Sequence, residues 1–256
     1  MELFIIAFTS FIASLLTFFS GFGLGTLLMP VVAIFFTPAV AIAITAVVHF
    51  ANNMLKFFLV AKNADTKVLL YFGVPAVIFA FIGAYLLGFL SGIEALYEYM
   101  LFDKSFVVTP IKFTIGLLIL FFVLLELLPY FSKMAVNKKW LPLGGVLSGF
   151  FGGLSGNQGA FRSMFLLKSG LGKENFIATG VVLAVMVDSA RMIIYKDSFL
   201  QSSDIEWQMV VVATMAAFLG TVIGNKLLRK VSIEFIRIVV SLLLIIISFG
   251  LMSGVI

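Results

Sequence analysis

Long apolar runs separated by short polar segments follow one another along the whole chain. Runs of about 18 residues or more lie at 3–36, 42–61, 68–90, 111–130, 140–169, 176–195, 206–225 and 235–256. A run of this length crosses a hydrocarbon layer of about 30 Å as an α-helix. The alternation of apolar and polar residues that marks barrel strands is absent from the sequence. The pattern predicts an all-α polytopic membrane protein.

Two of the runs are too long for one upright crossing. As continuous helices, 3–36 and 140–169 would measure roughly 51 and 45 Å at about 1.5 Å per residue. Each run contains a glycine cluster near its middle, "SGFGLGTLLMP" at Ser20–Pro30 and "GFFGGLSGNQG" at Gly149–Gly159. Glycine weakens a helix and proline removes a donor, so we expect both segments to break there. The alternative is close helix packing through small residues.

The two halves of the chain repeat each other weakly. An offset of 134 residues aligns four pairs, namely Gly25 with Gly159, Thr45 with Thr179, Val47 with Val181 and Val48 with Val182. The order of segments repeats as well. We therefore predict a first repeat at 1–131 and a second at 132–256, each a broken helical hairpin plus three transmembrane helices. Because three crossings is an odd number, the two repeats would have inverted topology.

Basic residues support this arrangement. If each hairpin enters and leaves on one side, that side holds eleven of the 17 basic residues: Lys56, Lys62, Lys67, Lys133, Lys138, Lys139, Lys168, Lys173, Lys226, Arg229 and Lys230. Such an asymmetry predicts that this face is cytoplasmic in a multi-pass protein of the cell (inner or plasma) membrane, with both termini outside. The alternative, one crossing per broken segment, gives two parallel four-helix halves and places Lys168 and Lys173 outside.

Composition narrows the classes of function. With 62% hydrophobic and 11% charged residues, the chain cannot form a soluble core with a polar shell. Its net charge of +5 is explained by cytoplasmic loop lysines that orient the chain in the membrane, so we expect membrane lipid and no nucleic acid as partners. The sequence has no cysteine, one histidine and no HExxH or GxSxG motif, so it predicts no catalytic residue, metal or cofactor. It leaves the oligomeric state open, a homo-oligomer included.

A polar stripe runs through the second segment of the first half, "TAVVHFANNMLKF". At about 100° per residue, its members fall within a sector of about 100° on one helix face; they are Thr45, His49, Asn52, Asn53 and Lys56. Because such a stripe is costly against lipid, we expect it to face the protein interior. His49 is a candidate proton carrier, with a plain polar contact as the alternative. Either asparagine could instead bond a neighbouring helix, and Lys56 could extend to the interface.

The corresponding segment of the second half, "VMVDSARMIIYK", carries two charges. Asp188 and Arg191 are three residues apart and therefore adjacent on a helix surface, which predicts an ion pair. We assign both to a charge network with His49 and Lys56. Within it, His49 or Asp188 would take a proton.

The second break, "GLSGNQGAFRSMF", carries candidate anion ligands. A helix that restarts inside the membrane presents unpaired N–H groups and a positive dipole end. Gly156 and Gly159 would allow close approach, Asn157 and Gln158 would donate amide hydrogens, and Arg162 would supply a guanidinium fork. An ion pair of Arg162 with Asp188 is the alternative. The first break would add Gly23, Gly25 and Thr26, and His49, Asn52 and Asn53 would complete the substrate site.

These motifs resemble the TauE/SafE family of membrane permeases, the sulfite exporter type. The resemblance rests on "GFGLGTLLMP" and "GLSGNQGAF", and on the threonine segments "AITAV" and "IATGVV" that follow them, and it covers nearly the whole chain. Met164 stands where the family pattern has a proline. The resemblance implies proton-linked secondary transport of a small anion such as sulfite, a sulfonate or a related oxyanion.

We therefore predict a permease that works by alternating access, its two halves rocking about a midplane site. An anion channel is the second hypothesis. An intramembrane enzyme is the third, and no sequence motif favours it.

Overall fold

The computed structural model describes residues 1–20, 24–128, 136–167, 169–198, 205–227 and 233–256. The helices of the first half are α1 (Glu2–Ser20), α2 (Leu24–Val32), α3 (Pro38–Val60), α4 (Thr66–Val68), α5 (Val74–Ser91) and α6 (Pro110–Leu127). A π-helical turn, Leu69–Gly73, joins α4 to α5, and 3₁₀ turns lie at Ala61–Asn63 and Lys138–Trp140. Those of the second half are α7 (Leu141–Ser155), α8 (Gly159–Leu166), α9 (Lys173–Ser198), α10 (Trp207–Leu227) and α11 (Ile233–Ser253).

Four helical stretches of the described chain are long and apolar enough to cross a membrane, by length and composition. They are Pro38–Asn63, Thr66–Ser91, Lys173–Lys196 and Trp207–Gly224. Shorter apolar helices lie at Glu2–Leu15, Pro110–Leu125 and Ser241–Ser253. The prediction of a helical membrane protein is confirmed.

The second over-long run is a hairpin. Helix α7 ends at Ser155, and Gly156 follows in the left-handed conformation with φ of 81°. Helix α8 then returns along α7, since Gly144 lies against the ring of Phe165. In one straight helix these two residues would be roughly 30 Å apart. The break expected within Gly149–Gly159 is therefore present.

The first over-long run also folds back on itself. Phe8 and Ile12 of α1 line one crevice together with Leu27 and Val31 of α2. A straight helix would separate Phe8 from Val31 by roughly 35 Å. The predicted site of the break, including Gly23, falls on residues 21–23 and lies outside the described residues.

Two helix pairs that pack across the halves of the chain are antiparallel. In the pair α3 and α9, His49 lies beside Asp188, whereas the backbone N–H of Asp65, just beyond α3, donates to Thr179 Oγ1 at 2.9 Å. Residue numbers therefore rise along α3 as they fall along α9. The pair α6 and α11 is also antiparallel, with Gly116 against Ser248 and Gly254 against Val107.

Two helix pairs that join the halves pack against each other through glycines. In the parallel pair α5 and α7, three glycines lie directly against backbone carbonyls: Gly145 on Phe72, Gly149 on Ala76 and Gly153 on Ala80. In the parallel pair α1 and α10, Gly220 lies on the carbonyl of Phe11 and Gly224 on that of Leu15. Since a β-carbon at these positions would meet backbone, small residues permit both close approaches.

The segment between α5 and α6 contains a β-hairpin that the sequence analysis did not predict. Strands β1 (Tyr97–Leu101) and β2 (Lys104–Val108) pair antiparallel through a turn at Phe102 and Asp103, with φ of 50° and 59°. Turns of this kind usually contain Asn or Gly, and neither is present here. The Tyr99 hydroxyl donates to the Ser253 carbonyl at 2.7 Å and fastens the hairpin to the end of α11.

Candidate functional site

The polar stripe of α3 faces the protein interior. Its five members are each 7% exposed or less: Thr45, His49, Asn52, Asn53 and Lys56. The stripe meets α9 on one flank and α10 on the other, because Asn53 contacts Asp188 and Asn52 contacts Thr221. The expectation that these side chains avoid lipid is confirmed.

Asp188 is the centre of a hydrogen-bond network. Its Oδ2 lies 2.7 Å from His49 Nδ1 and accepts from Asn53 Nδ2 at 2.9 Å. Its Oδ1 lies 2.9 Å from Arg191 Nη2 and accepts from Gln158 Nε2 at 3.2 Å. The predicted pair of Asp188 with Arg191 is present, and both side chains are buried. Four polar side chains surround one carboxylate and compensate its desolvation, so Asp188 fits as a buried anion.

The break between α7 and α8 is ordered by its own polar groups. The Ser148 hydroxyl donates to the Gln158 carbonyl at 3.0 Å, and Asn157 Nδ2 donates to Ser155 Oγ at 3.2 Å. Gly156 approaches so closely that a β-carbon there would lie 2.7 Å from Arg191 Nη1. The break is thus fixed against the charged centre of α9.

The start of α2 lies against the break between α7 and α8. The Thr26 hydroxyl, in the first turn of α2, donates to Asn157 Oδ1 at 3.0 Å. A β-carbon at Gly25 would lie 3.9 Å from the Gly156 carbonyl and 3.7 Å from Thr45 Cγ2. Helices α2 and α8 therefore begin close to each other, and the first N–H groups of each lack acceptors within their own helix. Gly159, the first residue of α8, is buried.

Arg162 and Lys56 bring further positive charge to the site. Arg162 is half-buried, and its Nη1 donates to Gln158 Oε1 at 3.2 Å. Its Nε lies 3.6 Å from where a β-carbon would stand at Gly180 on α9. Lys56 is buried and lies within electrostatic range of Arg162. Both side chains carry positive charge toward the region between α3, α8 and α9.

The site combines one paired carboxylate with basic side chains and unsatisfied polar atoms. Asp188 is the only acidic side chain that is buried in the described part of the chain, and Arg191 already pairs with it. Lys56 and Arg162 are the other basic side chains of the site. Two buried polar atoms of the stripe, Thr45 Oγ1 and Asn52 Nδ2, have no hydrogen-bond partner among the described residues. Cations, exposed amide dipoles and an unused donor together suit an oxyanion.

The sequence analysis missed two residues of the polar centre. Thr221 of α10 bonds Asn52, and Ser14 of α1 bonds Thr221. Each is a single hydroxyl within a long apolar run, and single hydroxyls in such runs commonly bond their own helix. No periodic signal separated these two from the rest.

The fold and site together define a helical membrane protein in which two helix hairpins meet at a buried polar centre. The family described as Sulfite exporter TauE/SafE matches residues 6–251, nearly the whole chain, and the protein belongs to that family. Membership identifies a membrane transporter. No curated protein and no solved structure matches the chain.

Proposed function

We propose that the protein is a secondary transporter of a small oxyanion, such as sulfite, a sulfonate or a small organosulfur carboxylate. The observation that carries this proposal is the position of Arg162 beside the break between α7 and α8, close to where α2 begins. Arg162 bonds Gln158 at the start of α8, whereas Asp188, the one buried carboxylate of the described chain, already pairs with Arg191. An anion bound there would interact with the Arg162 guanidinium and offset part of the cost of placing that cation inside a membrane protein.

The proposed mechanism is alternating access about a midplane site formed by two inverted repeats, 1–131 and 132–256. Its support is that α3 and α6 run antiparallel to their counterparts α9 and α11. The tight parallel pair α5–α7 also corresponds to the tight parallel pair α1–α10 when the halves are exchanged, although the glycines lie on α7 in the first pair and on α10 in the second. A site between two such repeats lies near the membrane centre and can open to either side.

The loop lysines support an orientation in the cell membrane with the Lys62 and Lys173 segments in the cytoplasm. The Lys62 and Lys173 loops lie at the same end of the bundle, since Asp65 contacts Thr179. The β-hairpin lies at the other end. Cysteines introduced at Lys62 and Lys173 should react only from the cytoplasm, and one at Asp103 only from outside. The chain has no native cysteine, so labelling has no background. Reaction of Lys62→Cys and Lys173→Cys on opposite sides would rule out the inverted arrangement.

Proton coupling is assigned to His49 and Asp188. Their side chains share a hydrogen bond of 2.7 Å, so a proton taken up by either is held by the pair. The charged groups around His49 are Asp188 and Arg191 on α9 and Lys56 on its own helix. Protonation of the pair adds one positive charge to the site and would favour anion entry.

The decisive test compares Arg162→Ala with Arg162→Lys in purified protein. Thermal shifts would be recorded with sulfite, sulfate, thiosulfate, sulfonates and small carboxylates. Stabilisation of the wild type by at least one of them is expected, together with its loss in Arg162→Ala and partial retention in Arg162→Lys, which keeps the charge but not the fork. Unchanged stabilisation of Arg162→Ala would remove this residue from the site.

Flux experiments separate a carrier from a channel. In proteoliposomes, unlabelled sulfite on the far side should accelerate uptake of labelled sulfite, because a loaded carrier returns faster than an empty one. If the rate of uptake does not change when sulfite is present on the far side, an anion channel is favoured instead.

A further inference from the structure

A chain of three buried polar side chains links α1, α10 and α3. Ser14 Oγ lies 2.6 Å from Thr221 Oγ1, and the Thr221 hydroxyl donates to Asn52 Oδ1 at 2.7 Å. All three side chains are 1% exposed or less. The chain is separate from the Asp188 network and approaches the polar stripe from its other flank.

The donor and acceptor roles in this chain follow from the Asn52 amide, whose carbonyl oxygen faces Thr221. A hydroxyl carries a single donor hydrogen, and Thr221 uses its own on the Asn52 carbonyl oxygen. Ser14 must therefore donate to Thr221. The chain delivers a donor to Asn52 Oδ1 and fixes which end of the amide faces α10.

Because the carbonyl oxygen of Asn52 faces Thr221, the NH₂ group of the same amide faces away from Thr221. Asn52 Nδ2 is buried and has no hydrogen-bond partner among the described residues. At about 100° per residue, Asn52 lies within about 20° of Thr45 and about 40° of Lys56 around the axis of α3. An unsatisfied buried donor is costly, and an acceptor on a ligand would remove that cost.

We propose that Asn52 Nδ2 donates to the transported oxyanion, and that Thr221, supported by Ser14, is a positioning residue that selects this amide orientation. This inference rests on the proposed function. The opposite orientation would turn the carbonyl oxygen of Asn52 toward the anion and repel it. With its carbonyl oxygen bonded to Thr221, Asn52 presents a donor to the ligand, which favours fully deprotonated oxyanions over ligands that present a hydroxyl hydrogen at this position.

The proposal explains why the hydroxyls occupy a tightly packed interface. Ser14 and Thr221 lie within the contact of α1 and α10, where Gly220 and Gly224 pack directly against the α1 backbone. Their positions relative to each other are therefore fixed by backbone packing. A rigid support of this kind is what a positioning residue needs to hold one rotamer.

The experiment measures sulfite binding and sulfite uptake in four variants. Thr221→Val keeps the shape and removes the hydroxyl, Thr221→Ser restores it, and Asn52→Ala removes the amide. We expect Thr221→Val and Asn52→Ala each to weaken sulfite binding about tenfold or more, with a raised KM and a nearly unchanged kcat. Thr221→Ser should bind as the wild type does. The double variant Thr221→Val/Asn52→Ala should be no weaker than Asn52→Ala alone, because both changes remove the same contact.

A matched control is Ser248→Ala. Ser248 is fully buried in α11 and donates to the Ile245 carbonyl of its own helix at 2.7 Å, so its loss should leave sulfite affinity unchanged. If Thr221→Val fails to insert, Ser14→Ala replaces it and should weaken sulfite binding about threefold, since it removes the support behind Thr221.

The outcomes separate this inference from the proposed function. Sulfite affinity that depends on Arg162 but is unaffected in Thr221→Val and Asn52→Ala would overturn the role of the amide and leave the anion site in place. Additive losses in the double variant would overturn the positioning role of Thr221. Failure of every anion to stabilise the wild type would overturn both.

Discussion

Asp188 shows how a single carboxylate organises the site at the scale of residues. It receives hydrogen bonds or ion-pair contacts from α3, from the break before α8 and from its own helix. Those three elements have no covalent connection near the site. A buried charge that loses its partner is strongly destabilising, so Asp188 ties their positions together.

Asp188→Asn should therefore destabilise the protein by about 3 kcal/mol or more, because Arg191 would remain buried without a counter-charge. The melting temperature in detergent measures the loss. Adding Arg191→Met should recover much of it, since that change removes the unpaired cation. A double variant as unstable as Asp188→Asn alone would show that the pair is not what stabilises this region.

His49 allows a second prediction at this scale. Protonation of the pair that it forms with Asp188 adds positive charge, so sulfite uptake should rise as the pH falls through that titration. His49→Gln keeps a hydrogen-bond donor beside Asp188 but does not titrate. Initial uptake rates between pH 5 and about 8 should become nearly flat in the variant. A variant with the wild-type pH profile would assign the proton to another group.

At the scale of elements, the break between α7 and α8 depends on one conformation. Gly156 has φ of 81°, a region that is unfavourable for a residue with a β-carbon. Here the space is also occupied, because that carbon would lie 2.7 Å from Arg191 Nη1. The guanidinium is buried and paired with Asp188, so it can move only by weakening that pair.

Gly156→Ala should cost about 1–2 kcal/mol in backbone strain and also weaken anion binding, because it displaces Arg191. Gly170→Ala is the matched control. Gly170 has φ of 84°, but nothing lies within 4 Å of its β-carbon position, so this change should add strain without affecting binding. Thermal stability and sulfite affinity of both variants distinguish the two effects. Equal affinities would show that the guanidinium tolerates the added methyl group.

The sequence predicted those features that depend on helix periodicity and local chemistry. The i,i+3 spacing gave the pair of Asp188 and Arg191, the polar stripe gave the inward face of α3, and the glycine cluster gave the break at Gly156. Contacts between distant segments were not predictable in this way. His49 meets Asp188 across 139 positions, and Ser14 meets Thr221 across 207. Periodicity defines a face of a helix, and the packing of the whole chain decides which faces meet.

At the scale of the molecule, the tightest contacts cross from one half of the chain to the other. Helix α5 of the first half is packed on α7 of the second through Gly145, Gly149 and Gly153. Helix α10 of the second half is packed on α1 of the first through Gly220 and Gly224. Sliding such interfaces would drive backbone atoms into each other, because no side-chain layer separates the helices. The bodies that move in transport should therefore be composites of both halves, α5 with the α7–α8 hairpin and α10 with the α1–α2 hairpin.

Spin labels on paired cysteines test this composition. Tyr71 and Leu143 are exposed near the same end of the tight α5–α7 unit, and Val222 is exposed on α10. The distance between labels at Tyr71→Cys and Leu143→Cys should stay constant when sulfite is added to protein in nanodiscs. The distance between labels at Leu143→Cys and Val222→Cys should change, because these positions belong to different bodies.

If the first distance changed as much as the second, the contact of α5 with α7 would slide during transport. The moving bodies would then be the first and the second half of the chain. The glycines argue against that result, since a sliding pair needs a smooth layer of side chains and α5–α7 places carbonyl oxygens directly in the path.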